Sequence, residues 1–418
     1  MEAVSETSLA PRALARAECV AHAAQAPKIL LYSHDTAGLG NIRRTLLLAE
    51  AFASAYPRGA VLVVTGSPVI HAYRIPDGVD YVKLPSLDRV AAERYEPRFL
   101  AAWSDEVRRT RREILDRTLL GFAPDLLLVD KRPAGIDGEL IPALSALRSA
   151  RSHTRVVLGL RDILDAPERT RASLREQGWF DTIGAHYDEV WIYGSPEVFD
   201  AAHEYDFPPH VRARTHFCGY LARPTPPVAR AEGGPHVVVA TGGGGDGSSM
   251  IRSYLDGLLT LPRSVTLRTT VVFGPEMPRT QRDGLLARFS SLADVEFLDF
   301  DPDPLLRYAR ADAIVSMAGY NTVCELLSLN KPAVLVPRAE PVREQLIRAR
   351  RLAGLGLVDL VEPHELAGDV LIRRVLAALE CGSPKAGSLD FAGVERVLAR
   401  ASALLTREAP CARFASPS

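Results

Sequence analysis

Residues 236–247 read HVVVATGGGGDG, an apolar run that ends in a cluster of glycines. The apolar run after His236 predicts a buried β-strand. The glycines after Thr241 predict a tight turn, because glycine has no Cβ to obstruct the bend. Residues 248–259 predict a helix directly behind the turn. Its first N–H groups and the positive end of its dipole favour an anion, most often a phosphate. A glycine turn that binds nothing is the alternative.

Apolar runs that are separated by helical patterns recur on both sides of this stretch. Such runs are typical of parallel strands buried on both faces, so each half is predicted to be an α/β, doubly wound domain. Helices are expected at about 41–56 and 97–121. The expected strands are 29–32, 61–64, 80–84, 125–130, 155–160 and 189–193, then 237–240, 269–273, 295–298, 313–316 and 333–336.

Residues 223–235 are the predicted linker, since prolines stiffen this stretch and no apolar periodicity crosses it. We expect one domain at 27–222 and a second at 236–386, facing each other across a cleft. Ligands of open parallel sheets bind at the carboxyl ends of the strands, which would line this cleft. A helix within 387–408 is expected to cross back to the first domain. A disordered leader at 1–26 and a tail at 409–418 complete the prediction.

The overall charge is balanced, with 50 basic and 51 acidic residues, which gives no electrostatic reason to expect nucleic acid or a membrane surface. Arg108, Arg109, Arg111 and Arg112 cluster on one predicted helix and are interpreted as a solvated face. The five cysteines have no metal-ligand spacing and indicate reduced thiols in the cytoplasm. No stretch has the pattern of a secretory signal or a bilayer span.

A second glycine loop, SHDTAGLGN at 33–41, follows the first predicted strand. It matches the dinucleotide-binding fingerprint only loosely, because no third glycine follows Gly38 and Gly40. NAD is therefore not the expected ligand. His34 and Asp35 stand at the strand end where an active site would open, and both a structural and a catalytic role stay open for them.

Residues 316–327 read SMAGYNTVCELL and predict a strand end, a turn at Gly319 and a helix from about Tyr320. Helical spacing places Asn321 and Glu325 on one face. The first N–H groups of the helix can hold an anion, while the carboxylate of Glu325 can accept both hydroxyls of a vicinal diol. The alternative is a carboxylate that only stabilises the helix dipole.

Several motifs follow one another through about residues 219–360: Gly219 to Arg223, the glycine loop 242–247, the helix start 319–326, the strand 331–337, and Glu344-Gln345 followed by 349–352. In this order they resemble the C-terminal domain of the MurG family, the inverting GT-B glycosyltransferases that transfer N-acetylglucosamine in bacterial peptidoglycan synthesis. A group of uncharacterised predicted bacterial glycosyltransferases is more similar still, because its members share the start His-Asp-x-x-Gly-x-Gly.

The resemblance implies a GT-B fold, with a nucleotide sugar on the second Rossmann-like domain and the acceptor on the first. In the family, the position of Glu325 binds the ribose of a UDP-sugar, and Glu344-Gln345 reach the sugar hydroxyls. The glycine loop and the helix at Gly319 hold the pyrophosphate, which Arg223 would help to stabilise. Asp246 is expected to touch a sugar hydroxyl or to cap its helix, and Phe273-Gly274 to line the base pocket. The full set expected at the donor site is Gly38, Gly40, Asn41, Arg223, Gly243, Gly244, Gly245, Asp246, Phe273, Gly274, Ser316, Gly319, Tyr320, Asn321, Thr322, Glu325, Glu344 and Gln345.

The first half departs from the family at a chemically important position. The family loop ends in Gly-Gly-His, and this histidine is its usual general-base candidate. Asn41 stands there in this sequence and cannot accept a proton at neutral pH. A reaction that needs no strong base is one alternative. The replacement bases that we consider are His34, Asp35 and Asp162, with Asp130, Lys131 and Asp137 as further candidates in the cleft.

We therefore expect an inverting, metal-independent transferase that moves a hexose or N-acetylhexosamine from a UDP-sugar to an acceptor hydroxyl or amine. Asp301-Pro302-Asp303 has the spelling of a metal-binding Asp-x-Asp motif, but its position before a helix indicates a cap. No cofactor is expected, and the UDP-sugar is a co-substrate. A sugar-nucleotide 2-epimerase or hydrolase and a non-catalytic nucleotide-sugar-binding protein remain alternatives. The acceptor, a small molecule or a glycan, is not identified; we expect a cytoplasmic protein and leave a homodimer open.

Overall fold

The structure is a computed structural model that describes residues 26–406, apart from 35–39, 92–93, 151–152, 225–227, 229–233, 302 and 384–388. Within these residues the chain forms two α/β domains, each built on a parallel sheet with helices on both faces. The α/β, doubly wound architecture predicted from the apolar runs is confirmed. The expected leader, most of the expected linker and the expected tail lie outside the described residues.

The first domain carries a parallel sheet whose strands lie in the order β3-β2-β1-β6-β7-β8-β9. Every residue of β6 and of β8 is buried, which is why these strands are continuous apolar runs in the sequence. The strands are β1 (Lys28–Ser33), β2 (Ala60–Thr65), β3 (Val79–Lys83), β6 (Leu126–Asp130), β7 (Arg155–Arg161), β8 (Glu189–Tyr193) and β9 (Thr215–Phe217).

The second domain repeats this arrangement, with the strand order β12-β11-β10-β13-β14-β15. In each sheet the order reverses beside the first strand of the domain, at β1/β6 and at β10/β13. Ligands of doubly wound sheets bind at such switch points. The strands are β10 (His236–Ala240), β11 (Arg268–Val272), β12 (Val295–Leu298), β13 (Ala313–Ser316), β14 (Ala333–Leu335) and β15 (Asp359–Leu360).

The helices of the first domain cover both faces of its sheet. They are α1 (Gly40–Ala55), α2 (Ser104–Phe122), α3 (Ile141–Ala150), α4 (Pro167–Glu176), α5 (Trp179–His186), α6 (Ala201–Glu204) and α7 (Pro209–Arg212). Those that follow in the chain are α8 (Ser248–Leu258), α9 (Arg279–Phe289), α10 (Leu305–Arg310), α11 (Tyr320–Ser328), α12 (Glu344–Gly354), α13 (Gly368–Cys381) and α14 (Gly393–Thr406).

The predicted helix at 97–121 begins too early. An antiparallel hairpin, β4 (Leu87–Ala91) with β5 (Arg94–Pro97), precedes it, and α2 begins at Ser104. Tyr95 of the hairpin is buried against Val107 of α2, so a small apolar cluster fixes residues that have no strand pattern of their own.

The interpretation of the arginine cluster on α2 as a solvated face is wrong for Arg111. Its side chain is fully buried and forms a bidentate ion pair with Glu139, with N···O distances of 2.6 and 2.7 Å. Tyr32 of β1 donates a 2.5 Å hydrogen bond to the same carboxylate. A buried arginine is tolerated because its charge is paired and its donors are used.

The last helix, α14, packs against α1 of the first domain. Arg400 of α14 forms a bidentate pair with Glu189 of β8, at 2.7 and 2.8 Å. Between the domains, the ring of Tyr220 packs on Tyr320 of α11 and on Phe391. The two domains therefore share a continuous apolar core beside the cleft.

Candidate functional site

Many of the predicted site residues lie at the two switch points, whereas Asp162, Phe273-Gly274 and Glu344-Gln345 follow other strands. His34 after β1 and the loop after β6 lie on the first-domain wall of the cleft, and the loops after β10 and β13 form the second-domain wall. Asn321 at the start of α11 donates a 2.9 Å hydrogen bond to the carbonyl of Gly40 at the start of α1. The walls are thus in direct contact where the sequence motifs meet. Asp35 and Gly38 lie outside the described residues.

The glycine loop after β10 packs on the backbone after β11. Gly244 has φ +94°, and a Cβ there would lie 2.4 Å from the carbonyl oxygen of Phe273. Gly274 has φ +93° and packs as closely on Gly242 and Gly243. The side chain of Phe273 is buried in the domain core and stacks on Phe297, with ring centroids 5.7 Å apart. Phe273 therefore cannot line a base pocket with its ring, and only its backbone borders the loop.

Both helices that follow the second-domain loops begin without a side-chain cap. Gly247 is the N-cap of α8 and Gly319 that of α11, and neither offers a side-chain acceptor. Nothing described lies within 4 Å of the position that a Cβ of Gly319 would occupy. The first N–H groups of each helix lack an acceptor within the helix. They suit an anion such as a phosphate.

Two predicted site residues on this wall have other partners. Asp246 forms a 2.9 Å ion pair with Arg338 and does not cap α8, so the capping interpretation is wrong. Ser316 is buried and donates a 2.6 Å hydrogen bond to the carbonyl of Ala240, which ties the end of β13 to β10. Gly243 and Gly245 lie in the loop between β10 and α8, beside Glu276.

Glu325 is the most unusual group of the second-domain wall. Its carboxylate is buried on α11, and Oε1 accepts from Arg43 of α1 at 2.6 Å and from Arg223 at 2.8 Å. Oε2 is also buried, yet has no hydrogen-bond partner in the described part of the chain. Arg223 also contacts Asp303 at 2.8 Å. The helix that follows, α10, begins at Leu305 without a side-chain cap, so the interpretation of Asp303 as a helix cap is wrong. A buried acceptor without a partner costs free energy that a bound hydroxyl would recover.

The residues around Glu325 on α11 fix the position of the helix. Tyr320 is buried with its ring 5.7 Å from the guanidinium of Arg44 and 5.8 Å from that of Arg348. Its hydroxyl accepts from the backbone N–H of Leu221 at 3.4 Å. Thr322 is buried beside it. Tyr320 therefore acts as an interdomain packing residue.

Glu344 and Gln345 begin α12 and are both buried. Glu344 pairs with Arg161 of β7 and lies 3.3 Å from Arg338. Burial raises its pKa, but Arg161, Arg348 and Arg338 outweigh burial and hold the pKa below its usual value. Gln345 accepts a 3.3 Å hydrogen bond from the backbone N–H of Arg338.

His34 directly follows β1 and is buried on the first-domain wall. Its ring donates to the backbone carbonyl of Asp130, and Nδ1 has no hydrogen-bond partner among the described residues. Burial, then the charges of Lys131 and Arg132, hold the pKa of His34 well below its usual value of 6.5. The imidazole is therefore neutral at pH 7 and keeps a lone pair for a proton.

Asp162 is not available as a base. Its carboxylate is almost fully buried and bidentately paired with Arg348 of α12, at 2.5 and 2.8 Å. Arg348 also donates to the carbonyl of Ala318 at 2.7 Å. Both carboxylate oxygens are engaged by the guanidinium, and Oδ1 also accepts from the backbone N–H of Ile163. This pair joins the two domains.

The further cleft candidates differ in their surroundings. Asp130 is buried and paired with Arg44, at 2.7 and 2.8 Å, and Asp137 pairs with Arg108 of α2. Asn41 accepts a 3.0 Å hydrogen bond from Arg44. Lys131, at the end of β6, is partly buried. Burial first, and then Arg161 and Arg132, lower the pKa of Lys131 from 10.5 to about 7.

Known proteins resemble this chain in sequence and in fold. Residues 238–386 match the glycosyltransferase family 28 C-terminal domain. One relative is the UDP-N-acetylglucosamine–N-acetylmuramyl-(pentapeptide) pyrophosphoryl-undecaprenol N-acetylglucosamine transferase of Mannheimia succiniciproducens. It is 36% identical to this chain over 80 residues, and the matched part is 19% of this chain and 22% of that protein. The same-named enzyme of Phenylobacterium zucineum is 28% identical over 172 residues, 39% of this chain and 47% of that protein. This chain resembles the MurG family.

The structural neighbours establish the GT-B fold of this MurG-like chain. The calicheamicin glycosyltransferase CalG4 superposes with a TM-score of 0.58 at 17% identity, over 92% of this chain and 100% of that one. MurG of Acinetobacter baumannii superposes with a TM-score of 0.56 at 15% identity, over 90% of this chain and 99% of that one. A putative UDP-N-acetylglucosamine 2-epimerase of Listeria monocytogenes superposes with a TM-score of 0.59 at 12% identity, over 91% of this chain and 96% of that one. At such identities the likeness defines the fold, which is GT-B as predicted.

The MurG-like resemblance by sequence covers part of the molecule. The chain spans about a fifth to a half of the length of these curated relatives. In the described residues, no group of three or more His, Cys, Asp or Glu side chains is placed to hold a metal ion. None of the described helices is long and apolar enough to cross a membrane.

Three arginines that pair with the carboxylates expected at the donor site were missed by the sequence reasoning. Arg43, Arg161 and Arg338 pair with the carboxylates of Glu325, Glu344 and Asp246. Arg43 and Arg161 reach across from the first domain, so no local pattern could reveal their partners. Their one visible signal is that each lies within a few residues of a strand-end loop.

Proposed function

We propose that this chain is an inverting glycosyltransferase that moves a hexose or N-acetylhexosamine from a UDP-sugar to a hydroxyl or amine of an acceptor in the cleft. The observation that carries the proposal is the buried, unpartnered Oε2 of Glu325, in a domain where α8 and α11 both begin without a side-chain cap. A nucleotide sugar offers the groups that this wall requires, namely ribose hydroxyls and a diphosphate. The match to the family 28 C-terminal domain over 238–386 supports the same assignment.

The donor is held by the second-domain wall. The N–H groups that begin α8 and α11 receive the diphosphate, and the positive ends of both helix dipoles stabilise the negative charge as the leaving group departs. Oε2 of Glu325 accepts a ribose hydroxyl, while Arg43 and Arg223 hold Oε1 and fix the carboxylate. Glu344 and Gln345 contact the sugar. No metal is needed, since helix N-termini supply the stabilisation that a divalent ion would otherwise give.

His34 is the base in this scheme. An acceptor hydroxyl must lose its proton as it attacks the anomeric carbon, and a neutral imidazole with a free Nδ1 can take that proton. His34 meets this need where Asn41 cannot, and it lies on the wall opposite the donor. Inversion follows from a single displacement, in which the acceptor oxygen bonds to the anomeric carbon as the UDP oxygen leaves. The proposed setting is the cytoplasm.

The test is incubation of the protein with UDP-glucose, UDP-N-acetylglucosamine and related donors, with and without a library of small-molecule and glycan acceptors. A transferase releases UDP faster when an acceptor is added and forms a glycosylated product by mass spectrometry. Conversion of the donor to its 2-epimer, or hydrolysis at the same rate without acceptor, would reject the transferase. Tight UDP-sugar binding with no turnover under any condition would favour a binding protein.

His34→Gln tests the base within the same assay. We expect turnover to fall by about 100-fold or more, since general-base catalysis contributes roughly 100- to 10,000-fold. UDP binding should not change, because His34 lies on the opposite wall. His203→Gln on α6 is the matched control, and its turnover should equal that of the wild type. Full turnover in His34→Gln would remove His34 from the mechanism.

A further inference from the structure

The carboxyl edge of the first sheet carries positive charge that the donor scheme does not use. Lys131 follows β6 and Arg161 ends β7, and these strands are neighbours in register, with Asp130 paired to Gly159. The backbone N–H of Lys131 donates to the carbonyl of Gly159 at 2.8 Å. Lys131 has φ +65°, a left-handed conformation that is strained for a non-glycine residue. Strained residues of this kind concentrate at functional sites.

We propose that Lys131 and Arg161 bind an oxyanion, a phosphate or a carboxylate, that the acceptor carries. This inference rests on the proposed function, because it names the acceptor class for the same cleft.

The charges around Lys131 explain why an anion is needed. Arg161, Arg132 and Arg89 lower the pKa of its ammonium, whereas Glu344 raises it. Lys131 Nζ makes no hydrogen bond or ion pair with the described residues, and Nε of Arg161 is buried with no partner there. Like charges at close range, in partly buried surroundings, are unfavourable unless a counter-charge binds. An oxyanion matches the fork of an arginine and the point charge of a lysine.

The location indicates the acceptor and not the donor. The helix N-termini that suit the diphosphate belong to the second domain, whereas Lys131 and Arg161 belong to the opposite wall. Among charged groups, Lys131 has the largest effect on the pKa of His34. A bound oxyanion here would therefore lie beside the proposed base, where the acceptor must be. Glu344 pairs with Arg161 in the absence of donor, so sugar binding to Glu344 would release Arg161 for the acceptor.

Lysine resonances can report this site directly, because the chain has few lysines. Reductive ¹³C-methylation, with assignment by Lys131→Gln, gives the pKa of Lys131 by NMR. The titration is made with saturating UDP present, and with inorganic phosphate or acetate as the probe. We expect one of the two anions to raise the pKa of Lys131 by about one unit or more. Phosphate as the better ligand indicates a phosphorylated acceptor, and acetate indicates a carboxylate. Lys28, exposed at the opposite end of β1, is the internal control.

Calorimetry provides the second measurement. With UDP saturating, Lys131→Gln should weaken binding of the effective anion by about tenfold or more, since a charge-assisted hydrogen bond is lost. Lys28→Gln should match the wild type. No response of Lys131 to either anion, or loss of the response once UDP is saturating, would overturn the inference. If UDP itself does not bind, the proposed function fails, whereas the anion titrations still decide whether this site exists.

Discussion

The Asp162–Arg348 pair gives the sharpest test of how the domains are joined. Its two side chains are 1% and 0% exposed and make hydrogen bonds of 2.5 and 2.8 Å. We consider Asp162→Asn, Arg348→Met and the double variant. Asp162→Asn keeps the shape and the acceptor for the backbone N–H of Ile163, so the charge is the main difference.

The structure sets the magnitude. Either single change leaves one charge buried without its partner, which costs about 3–5 kcal/mol of unfolding free energy. The double variant buries no unpaired charge, and replacing both members of a buried pair is often close to neutral. We therefore expect the double variant to lose at least about 3 kcal/mol less than the sum of the single losses. The exposed pair Arg350–Glu362 is the control, and its coupling should stay below about 1 kcal/mol.

Urea unfolding, followed by tryptophan fluorescence, measures these free energies, because Trp191 is fully buried in β8. UDP release from the donor that serves as substrate measures turnover in the same variants. If Asp162 joins the domains, the double variant recovers turnover together with stability. Strictly additive losses would refute the ion-pair reasoning. A stable double variant without turnover would show that Asp162 acts in the chemistry after all.

Three further outcomes follow from the structure. Lowering the pH from about 7 to about 5 should destabilise the wild type more than His34→Gln, by up to about 1.4 kcal/mol per pH unit. The reason is that the pKa of His34 is held below 6.5 in the fold, so the unfolded chain binds the proton first; equal slopes in thermal unfolding would contradict this. Raising the pH from about 7 to about 10 should stabilise the wild type more than Lys131→Met. The pKa of Lys131 is about 7 in the folded chain against the ordinary 10.5, so between these pH values the unfolded chain binds one proton more than the folded chain. Equal changes of melting temperature with pH in the wild type and in Lys131→Met would contradict a lowered pKa of Lys131. Gly244→Ala should cost about 2 kcal/mol or more in urea and weaken UDP binding, because its φ of +94° and the Phe273 carbonyl at 2.4 Å exclude a Cβ. Wild-type stability there would refute the loop packing.

The sequence was sufficient to predict the two sheets because each buried strand has a pattern within its own residues. A parallel strand buried on both faces is a continuous apolar run, as in β6 and β8, and glycine loops mark the strand ends. The hairpin at β4 and β5 gave no such signal, since charged residues interrupt both short strands and, among their described residues, Leu87, Tyr95 and Pro97 are buried. The start of α2 was misplaced for the same reason.

The site was predictable as a set of strand-end motifs, but the contacts between its members were not. Glu325 was expected from its helix, whereas its partner Arg43 is 282 positions away, and Asp162 is 186 positions from Arg348. Such ion pairs depend on how the domains meet, which no local pattern encodes. The prediction that Phe273 lines the base pocket was wrong for a different reason. Its position at a strand end was right, but the alternation of side chains along β11 directs the ring into the core.

Isothermal titration calorimetry of UDP-N-acetylglucosamine with the wild type and with Glu325→Gln is the decisive test of the donor site. The amide offers one acceptor where the carboxylate offers Oε1 to two arginines and Oε2 to a ribose hydroxyl. Loss of a charge-assisted hydrogen bond of about 1.5–3 kcal/mol predicts binding that is roughly 10- to 100-fold weaker. Glu380→Gln, an exposed change on α13, should bind like the wild type. Wild-type affinity in Glu325→Gln would contradict the assignment of this wall as the donor site.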